Sequence, residues 1–318
     1  MIHIGFDTSC YTTSVAFASD TGAYQSHRQL LPVQTGERGL RQSEAVFAHV
    51  RQLAPLAEEL LREIPEEIGS VTASTAPRDG EDSYMPVFSV GASHARVLAA
   101  SLHVPFFETT HQRGHIRAAR VDSDLTGDSF LALHLSGGTT DVVHVDYDKI
   151  TPIATSMDLH AGQLVDRVGV KLGLPFPAGP YLEKLASGVA DQSLIPVSMD
   201  ENNLCCHLSG AEAALMRLID EHSLSEAQIA AEVYSVLCRS VLRLLCAAKE
   251  KTNESKILLA GGVMSSDRLR QMLVSRNEKR RLGLKLYFGK PELSGDNAVG
   301  VALIGAERMQ ENGDIAGR

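Results

Sequence analysis

The sequence predicts an α/β protein built as two similar lobes that face a cleft. Three observations predict it. A chain of 318 residues is long for one hydrophobic core and suits two packed lobes. A strand–turn–strand pattern occurs twice, as FDTSCYTTSVAFA at the start and as LHLSGGTTDVVHV near the middle. Each occurrence is followed by a third strand and then by further helices and strands. In such a duplication the turns after the first strands point at the cleft, where backbone N–H groups can cradle an anion. The lobes are expected at residues 1–108, completed by a C-terminal helix at about 296–312, and at 109–295 with a helical insertion.

Residues 2–7 (IHIGFD) form a short apolar run ending in an acid, and 13–18 (TSVAFA) form a second strand after the turn Thr8-Ser9-Cys10-Tyr11-Thr12. A run near 24–33 completes a three-stranded meander. Residues 44–64 carry helical periodicity through Ala45, Val46, Ala48, Val50, Leu53, Leu56, Leu60 and Leu61. A strand at 69–74, a helix near 91–103 and a strand opened by Pro105-Phe106-Phe107 lead into a histidine-containing stretch. The second cycle has strands at 130–136, 140–147 and 151–156, with Gly137-Gly138 as the tight turn. Helices follow at about 161–173, 178–187, 208–221 and 225–250, then a buried strand at 256–263 closed by a glycine pair. A helix (265–276), a strand (284–288) and a final helix (296–311) end the pattern, with a frayed tail after Asn312.

Hydrophobic residues make up 44% and charged residues 22%, an ordinary globular composition, and no apolar run is long enough to span a bilayer. The opening MIHIGFDTS enters a strand pattern directly, unlike a signal peptide, so a cytoplasmic location is expected. Five cysteines, Cys10, Cys205, Cys206, Cys238 and Cys246, form no C-x-x-C pair, which fits a reduced compartment. Cys238 and Cys246 fall in an apolar helical stretch and are expected in the core. A net charge of −9 argues against a surface coated for nucleic acid. It leaves room for local basic patches, at Arg113, Arg117 and Arg120, or at Arg276, Lys279, Arg280, Arg281, Lys285 and Lys290; either also reads as a solvated face.

His111-Gln112-Arg113-Gly114-His115 places two histidines four apart. On a helix they project from one face a turn apart, where one divalent metal could take both imidazoles. No glutamate follows the first histidine, so this is not the protease form; a metal here would clamp a ligand oxygen rather than activate water. Two solvated histidines have the same spacing, and a third ligand must come from elsewhere. Asp296, in Gly295-Asp296-Asn297-Ala298, is the best-placed distant carboxylate, although capping the last helix is its simpler role.

The turn Ser136-Gly137-Gly138-Thr139 lets a phosphate approach the backbone, but most Gly-Gly hairpins are only turns. Asp7 and Ser9 supply a carboxylate and a hydroxyl at the equivalent first turn and are the candidate catalytic groups. Asp166 could accept a ribose hydroxyl or act as a structural cap. Gly179, after the rigid Pro175-Phe176-Pro177-Ala178, allows close approach of a ribose or marks a bend. Gly261-Gly262-Val263 ends a strand ahead of a helix, a common resting place for a nucleotide. No Walker loop and no Ser-His-Asp signature is present.

Together these residues resemble the TsaD family, which makes threonylcarbamoyl-adenosine in tRNA and was once labelled glycoprotease-like. The resemblance runs in order through DTSCYTTSVAF, GLRQSEAVFAHV, HQRGH, LHLSGGTTDVV, AGQLVDRVGVKLGLPFPAGPYLEKLA, HLSGAEA, LLAGGVMSSDRLR and LSGDNAVGVALIG. It implies RNase H-like lobes around a nucleotide cleft, the fold of actin, sugar kinases and heat-shock ATPases. It implies that His111, His115 and Asp296 hold one divalent metal, iron or zinc. It places Ser136, Gly137, Gly138, Thr139, Asp166 and Gly179 on an adenylate or ATP-type nucleotide, with Gly261, Gly262 and Ser266 in the same set. The implied reaction moves a threonylcarbamoyl group from threonylcarbamoyl-adenylate to N6 of an adenosine beside the anticodon in tRNA. Implied partners are tRNA and TsaB-like and TsaE-like proteins, with no membrane.

The chain departs from the family pattern at the reaction surface. Tyr11 and Thr12 stand where the family has two acids, Thr139 where it has a histidine, Glu212 where it has a lysine and Ser266 where it has an asparagine. The leading expectation is a metal-dependent threonylcarbamoyl transferase. The alternative is a divergent paralogue that binds metal and nucleotide as a scaffold or acts on another substrate. A sugar-kinase-like phosphotransferase lacks a clear acid beyond Asp7, and a peptidase lacks both a Glu base and a nucleophile dyad.

Overall fold

A computed structural model describes residues 1–9, 11–32, 40–64, 67–80 and 82–316. Cys10, Val33 and the last two residues of the tail lie outside the described residues. The chain divides into two compact units, Met1–Val121 with Gly295–Arg318, and Asp122–Ser294.

In unit 1, β1 (Ile2–Thr8), β2 (Thr12–Ser19) and β3 (Tyr24–Leu30) form the expected antiparallel meander. Two parallel strands, β4 (Ile68–Ala76) and β5 (Phe106–Thr110), join it, giving the order β3-β2-β1-β4-β5. Every residue of β1 is buried, because helices cover both of its faces. One cover is α2 (Phe88–Leu102), and the other is α9 (Val299–Ala316). Beside them, α1 (Gln42–Glu63) packs on β2 and buries Ala45, His49, Leu53 and Leu60, a stripe at helical spacing. Ile4, Phe6, Val15, Leu53, Val71 and Val90 form the centre of this core.

The histidine stretch is helical, as α3 (His111–Arg120). Thr110 caps it, its hydroxyl accepting from the Arg113 amide. The domain boundary differs from the expected 108/109, since α3 belongs to unit 1. The physical reason is its packing on α9. A Cβ on Gly300 of α9 would sit 1.9 Å from the Gly114 carbonyl oxygen of α3, so only glycine permits this approach. The last helix also runs past the expected end, to Ala316.

Unit 2 repeats the plan. Strands β6 (Ser129–Leu135), β7 (Thr140–Asp146) and β8 (Lys149–Ser156) are antiparallel. Parallel strands β11 (Lys256–Ala260) and β12 (Lys285–Phe288) extend the β6 side, so β8-β7-β6-β11-β12 matches the order of unit 1. Two strands that the sequence pattern does not reveal, β9 (Ser198–Asp200) and β10 (Cys205–His207), continue the sheet beyond β8. Three residues each are too few to show alternation. The helical insertion between β8 and β11 contains α4 (Ala161–Lys171), α5 (Gly179–Leu185), α6 (Ser209–Asp220) and α7 (Glu226–Thr252). Buried residues lie around most of α7, as befits a central helix, and Cys238 lies among them while Cys246 is half-buried. Between β11 and β12, a 3-10 turn at Gly262–Ser265 leads into α8 (Asp267–Arg280). The four described cysteines are free thiols, and no helix is long and apolar enough to cross a membrane among the described residues.

Candidate functional site

Three side chains from two segments of unit 1 come to one point. The regular turn of α3 puts His111 and His115 on one face, and the segment entering α9 supplies Asp296. The two Nε2 atoms are 3.0 Å apart. Asp296 Oδ1 lies 3.2 Å from His115 Nε2 and 3.6 Å from His111 Nε2. Donors bound ~2.1 Å from one divalent ion are ~3.0 Å apart at octahedral angles and ~3.4 Å apart at tetrahedral ones. Two of the distances, 3.0 and 3.2 Å, fall within that range and the third, 3.6 Å, lies just above it; two nitrogens with a carboxylate oxygen suit a first-row divalent metal. His115 is buried and His111 is part-exposed, which leaves the cluster reachable from one side.

The supporting contacts fix which atom each ligand offers. His111 Nδ1 is 3.0 Å from both oxygens of Asp7, which is fully buried at the end of β1. A carboxylate accepts, so Nδ1 carries the proton and Nε2 presents its lone pair. The Ser9 hydroxyl donates to Asp296 Oδ2 at 2.9 Å, leaving Oδ1 for the cluster. Arg28 donates to the Asp296 carbonyl at 3.4 Å, and the Phe88 ring lies 5.8 Å from the His111 ring. Asp7 and Ser9, the candidate catalytic groups, thus have their polar atoms turned to the cluster's ligands.

Asp296 is not the cap of the last helix. Asn297 takes that place, its Oδ1 accepting from the Val299 amide at 3.0 Å, so the Asp296 carboxylate is spared for the histidines. The electrostatics suit a cation. Burial disfavours a charged His111, but the Asp7 carboxylate and Asp296 overcome it and hold the imidazole well above its ordinary pKa. Burial pushes Asp296 up, and bonds from His111 and His115 outweigh it and hold the carboxyl well below the usual range. A site that draws a proton to His111 this strongly also favours a metal ion there.

The remaining site candidates lie in unit 2: Ser136–Thr139, Gly261, Gly262 and Ser266 follow the carboxyl ends of β6 and β11, and Asp166 and Gly179 stand on α4 and α5. Ser136, Gly137, Gly138 and Thr139 form the β6–β7 turn, with both glycines exposed. The start of α4 packs on it: the Gly162 amide donates to the Ser136 carbonyl at 3.0 Å, and a Cβ on Gly162 would sit 2.7 Å from Gly137. Gly261, at φ 97°, crosses so near the end of β6 that a Cβ would meet the Leu135 oxygen at 2.2 Å. Gly262 is exposed beside it. Ser266 caps α8, accepting from the Leu269 amide at 3.2 Å. Asp166 accepts from the Ala178 amide at 2.8 Å and so ties the proline-rich turn to α4; burial raises its pKa against that bond. Gly179 offers its carbonyl to the Tyr234 hydroxyl at 3.2 Å. Ends of parallel strands with a glycine turn are where α/β folds hold anionic ligands.

The departures also have definite places. Tyr11 is 46% exposed, and Thr12 is buried. Glu212 pairs with Arg167 at 3.1 Å, so its charge is answered within unit 2. In the first basic patch, Arg113 pairs with Asp79 at 2.7 Å and Arg117 with Glu307 at 2.5 Å. In the second, Arg276 bonds Asp191 and Ser193, while Lys279, Arg280 and Arg281 are exposed at the end of α8. Sequence reasoning missed His49. Its signal was its position, four residues from both Ala45 and Leu53 on the buried stripe of α1.

Comparison with known proteins gives a family match and a fold match. The family described as "TsaD: tRNA N6-adenosine threonylcarbamoyltransferase" matches residues 32–303. A tRNA N6-adenosine threonylcarbamoyltransferase of Clostridium perfringens is 30% identical over 96% of this chain and 91% of its own length. One of Thiobacillus denitrificans is 28% identical over 100% of this chain and 94% of its own length. Among solved structures, full-length HypF in a phosphate- and nucleotide-bound form aligns at a TM-score of 0.61 and 14% identity; it covers 96% of this chain, which spans only 45% of that one. A ROK family glucokinase from Streptomyces griseus, in complex with glucose and AMPPNP, aligns at a TM-score of 0.56 and 11% identity over 96% of this chain and 100% of its own. At such identities the structural likeness establishes the fold, that of the sugar kinases.

Proposed function

The chain belongs to the TsaD family of tRNA N6-adenosine threonylcarbamoyltransferases, and from that premise we propose that it is a metal-dependent transferase of the threonylcarbamoyl group to tRNA. The observation that carries the reading is the convergence of His111 Nε2, His115 Nε2 and Asp296 Oδ1. The donor would be threonylcarbamoyl-adenylate. In the reaction N6 of the adenosine forms a bond to the carbamoyl carbon, the bond from that carbon to the phosphate oxygen breaks, AMP leaves, and N6 gives up one proton. A bound divalent ion, iron or zinc, supplies orientation and Lewis-acid assistance to a ligand oxygen.

This chain's residues have separate tasks. Asp7 holds the Nδ1 proton of His111, and Ser9 turns Asp296. Both are positioning residues for the ligand set rather than groups on the substrate. In unit 2 the Ser136–Thr139 turn, Gly261 and Gly262 offer backbone N–H groups to the phosphate of the adenylate. Asp166, Gly179 and Ser266 would serve the nucleoside of the same adenylate. The partners of this reading are tRNA, a TsaB-like protein and a TsaE-like ATPase, and its setting is the cytoplasm.

A second reading is a paralogue that keeps metal and nucleotide but transfers nothing to tRNA. The Glu212–Arg167 pair supports it, because it removes a free positive charge from the glycine-rich unit. A transfer assay separates the two. Purified protein is incubated with fresh threonylcarbamoyl-adenylate and unmodified tRNA, with and without a TsaB-like partner, and the tRNA nucleosides are analysed by mass spectrometry. Threonylcarbamoyl-adenosine is the expected product. Its absence, beside a working family member, sinks the transferase reading in favour of the paralogue.

A further inference from the structure

A buried histidine outside the cluster is placed to control it. His49 sits on the inner stripe of α1 with no exposure to solvent. Its Nε2 is 2.8 Å from the backbone carbonyl of Ser9, and its Nδ1 is 2.8 Å from the Thr13 hydroxyl. A carbonyl only accepts, so Nε2 carries the proton and donates to Ser9. Ser9, one residue past β1, in turn donates its hydroxyl to Asp296 Oδ2. The single Thr13 hydroxyl proton is shared between His49 Nδ1 and Gln52 Oε1, which lies 2.7 Å away, one turn of α1 beyond His49. The β1–β2 turn is thereby pinned to α1 from both sides, and the last link of the chain is a metal-site carboxylate.

We propose that His49 is a positioning residue for the His111–His115–Asp296 cluster: by holding the Ser9 carbonyl it fixes the Ser9 hydroxyl, which aims Asp296 Oδ1 at the two histidines. This rests on the metal reading and extends it to a third layer of side chains. Apolar packing alone does not call for a histidine here, since the neighbouring stripe positions are Ala45 and Leu53. An imidazole at this position spans two hydrogen bonds that no aliphatic side chain makes. Groups that orient metal ligands typically change affinity by about 10- to 100-fold when removed.

Two amide substitutions separate positioning from packing. In His49→Gln the amide nitrogen reaches the place of Nε2 and keeps the bond to Ser9. In His49→Asn the shorter amide keeps only the Thr13 side. The probe is Co2+ added to metal-depleted protein, read by its visible absorption, whose position and intensity report coordination geometry. His49→Asn is expected to weaken Co2+ binding by about tenfold or more and to change the band. His49→Gln should lie within about threefold of the parent, with the parent's band. Ser9→Ala should weaken binding like His49→Asn, and the double variant should be no weaker than the worse single one, because both act through one contact. Folding is followed by circular dichroism; should His49→Asn melt early, His49→Leu, which packs on the same stripe and makes neither bond, takes its place with the same loss of about tenfold expected. Asn and Gln variants with the parent's affinity and band, or losses that multiply in the double variant, overturn the proposal. A parent protein that takes up no Co2+ overturns the metal assignment itself, a result distinct from the others.

Discussion

A proton and a divalent cation compete for the same three atoms. Asp7 and Asp296 hold the His111 imidazole well above its ordinary pKa despite burial, so metal binding must displace a tightly held proton. Affinity for Zn2+ should therefore fall steadily as the pH is lowered from 7.5 to 5.5, measured by calorimetry. His111→Ala should lose at least about 100-fold in affinity while its far-ultraviolet dichroism stays native; equal affinity would remove His111 from the ligand set. His49 carries the opposite sign. Burial lowers its pKa below 6.5, against the Ser9 carbonyl and the nearby Asp7. The unfolded chain then binds the extra proton first, so this stability is present above about 6.5 and is lost as the pH falls from there towards the folded value. Urea unfolding at pH 7.5 and 5.5 should show a smaller acid loss for His49→Gln than for the parent. The histidine pair was legible: the four-residue spacing of His111 and His115 needs only a helix to bring the two rings together, and α3 is that helix. Asp296 was named as the third member of the cluster, with capping the last helix as its simpler role; the structure has Asn297 accept from the Val299 amide and brings Asp296 to the histidines. Asp7 and Ser9 were visible as polar groups at a turn; that they serve His111 and Asp296 depends on contacts more than a hundred residues away in sequence.

The helix pair α3–α9 holds the ligands in register. His111 and His115 ride on α3, Asp296 stands just before α9, and the two helices meet at Gly114 and Gly300. Gly300→Ala would press a methyl group into the Gly114 carbonyl, and it should cost about 1–3 kcal/mol by urea unfolding. It should also lower Zn2+ affinity, since the helices can relieve the clash only by moving the ligands apart. Unchanged affinity would mean that α9 does not position Asp296. The sequence reveals most elements because their periodicity is strong, as with the buried stripe of α1 and the apolar run of β1. It hides β9 and β10, because the pairing of β10 with β8 and of β9 with β10 is decided by tertiary contacts. It also misplaces the boundary before α3, because only the packing of Gly114 on Gly300 assigns that helix to unit 1.

Across the whole molecule, the duplicated strand orders β3-β2-β1-β4-β5 and β8-β7-β6-β11-β12 are the structural form of the two repeated strand–turn–strand segments. That repetition survives in the sequence because each half needs the same meander and the same parallel crossovers to bury its sheet. An acidic protein that acts on tRNA needs a local cationic surface. Arg280 and Arg281, exposed at the end of α8, are the candidates. Replacing both with alanine should weaken tRNA binding and reduce the slope of log K against log salt by about 1 to 2, read by filter binding over a salt series. An unchanged slope would assign the contact to another face. A metal held by the His–His–Asp cluster, on which transfer to tRNA depends, is read from the nucleoside assay run on metal-depleted protein. Threonylcarbamoyl-adenosine should vanish with the metal, return when Fe2+ or Zn2+ is added back, and fail to return for His115→Ala. Full product formation by the depleted protein, or by His115→Ala, would remove the metal cluster from the reaction.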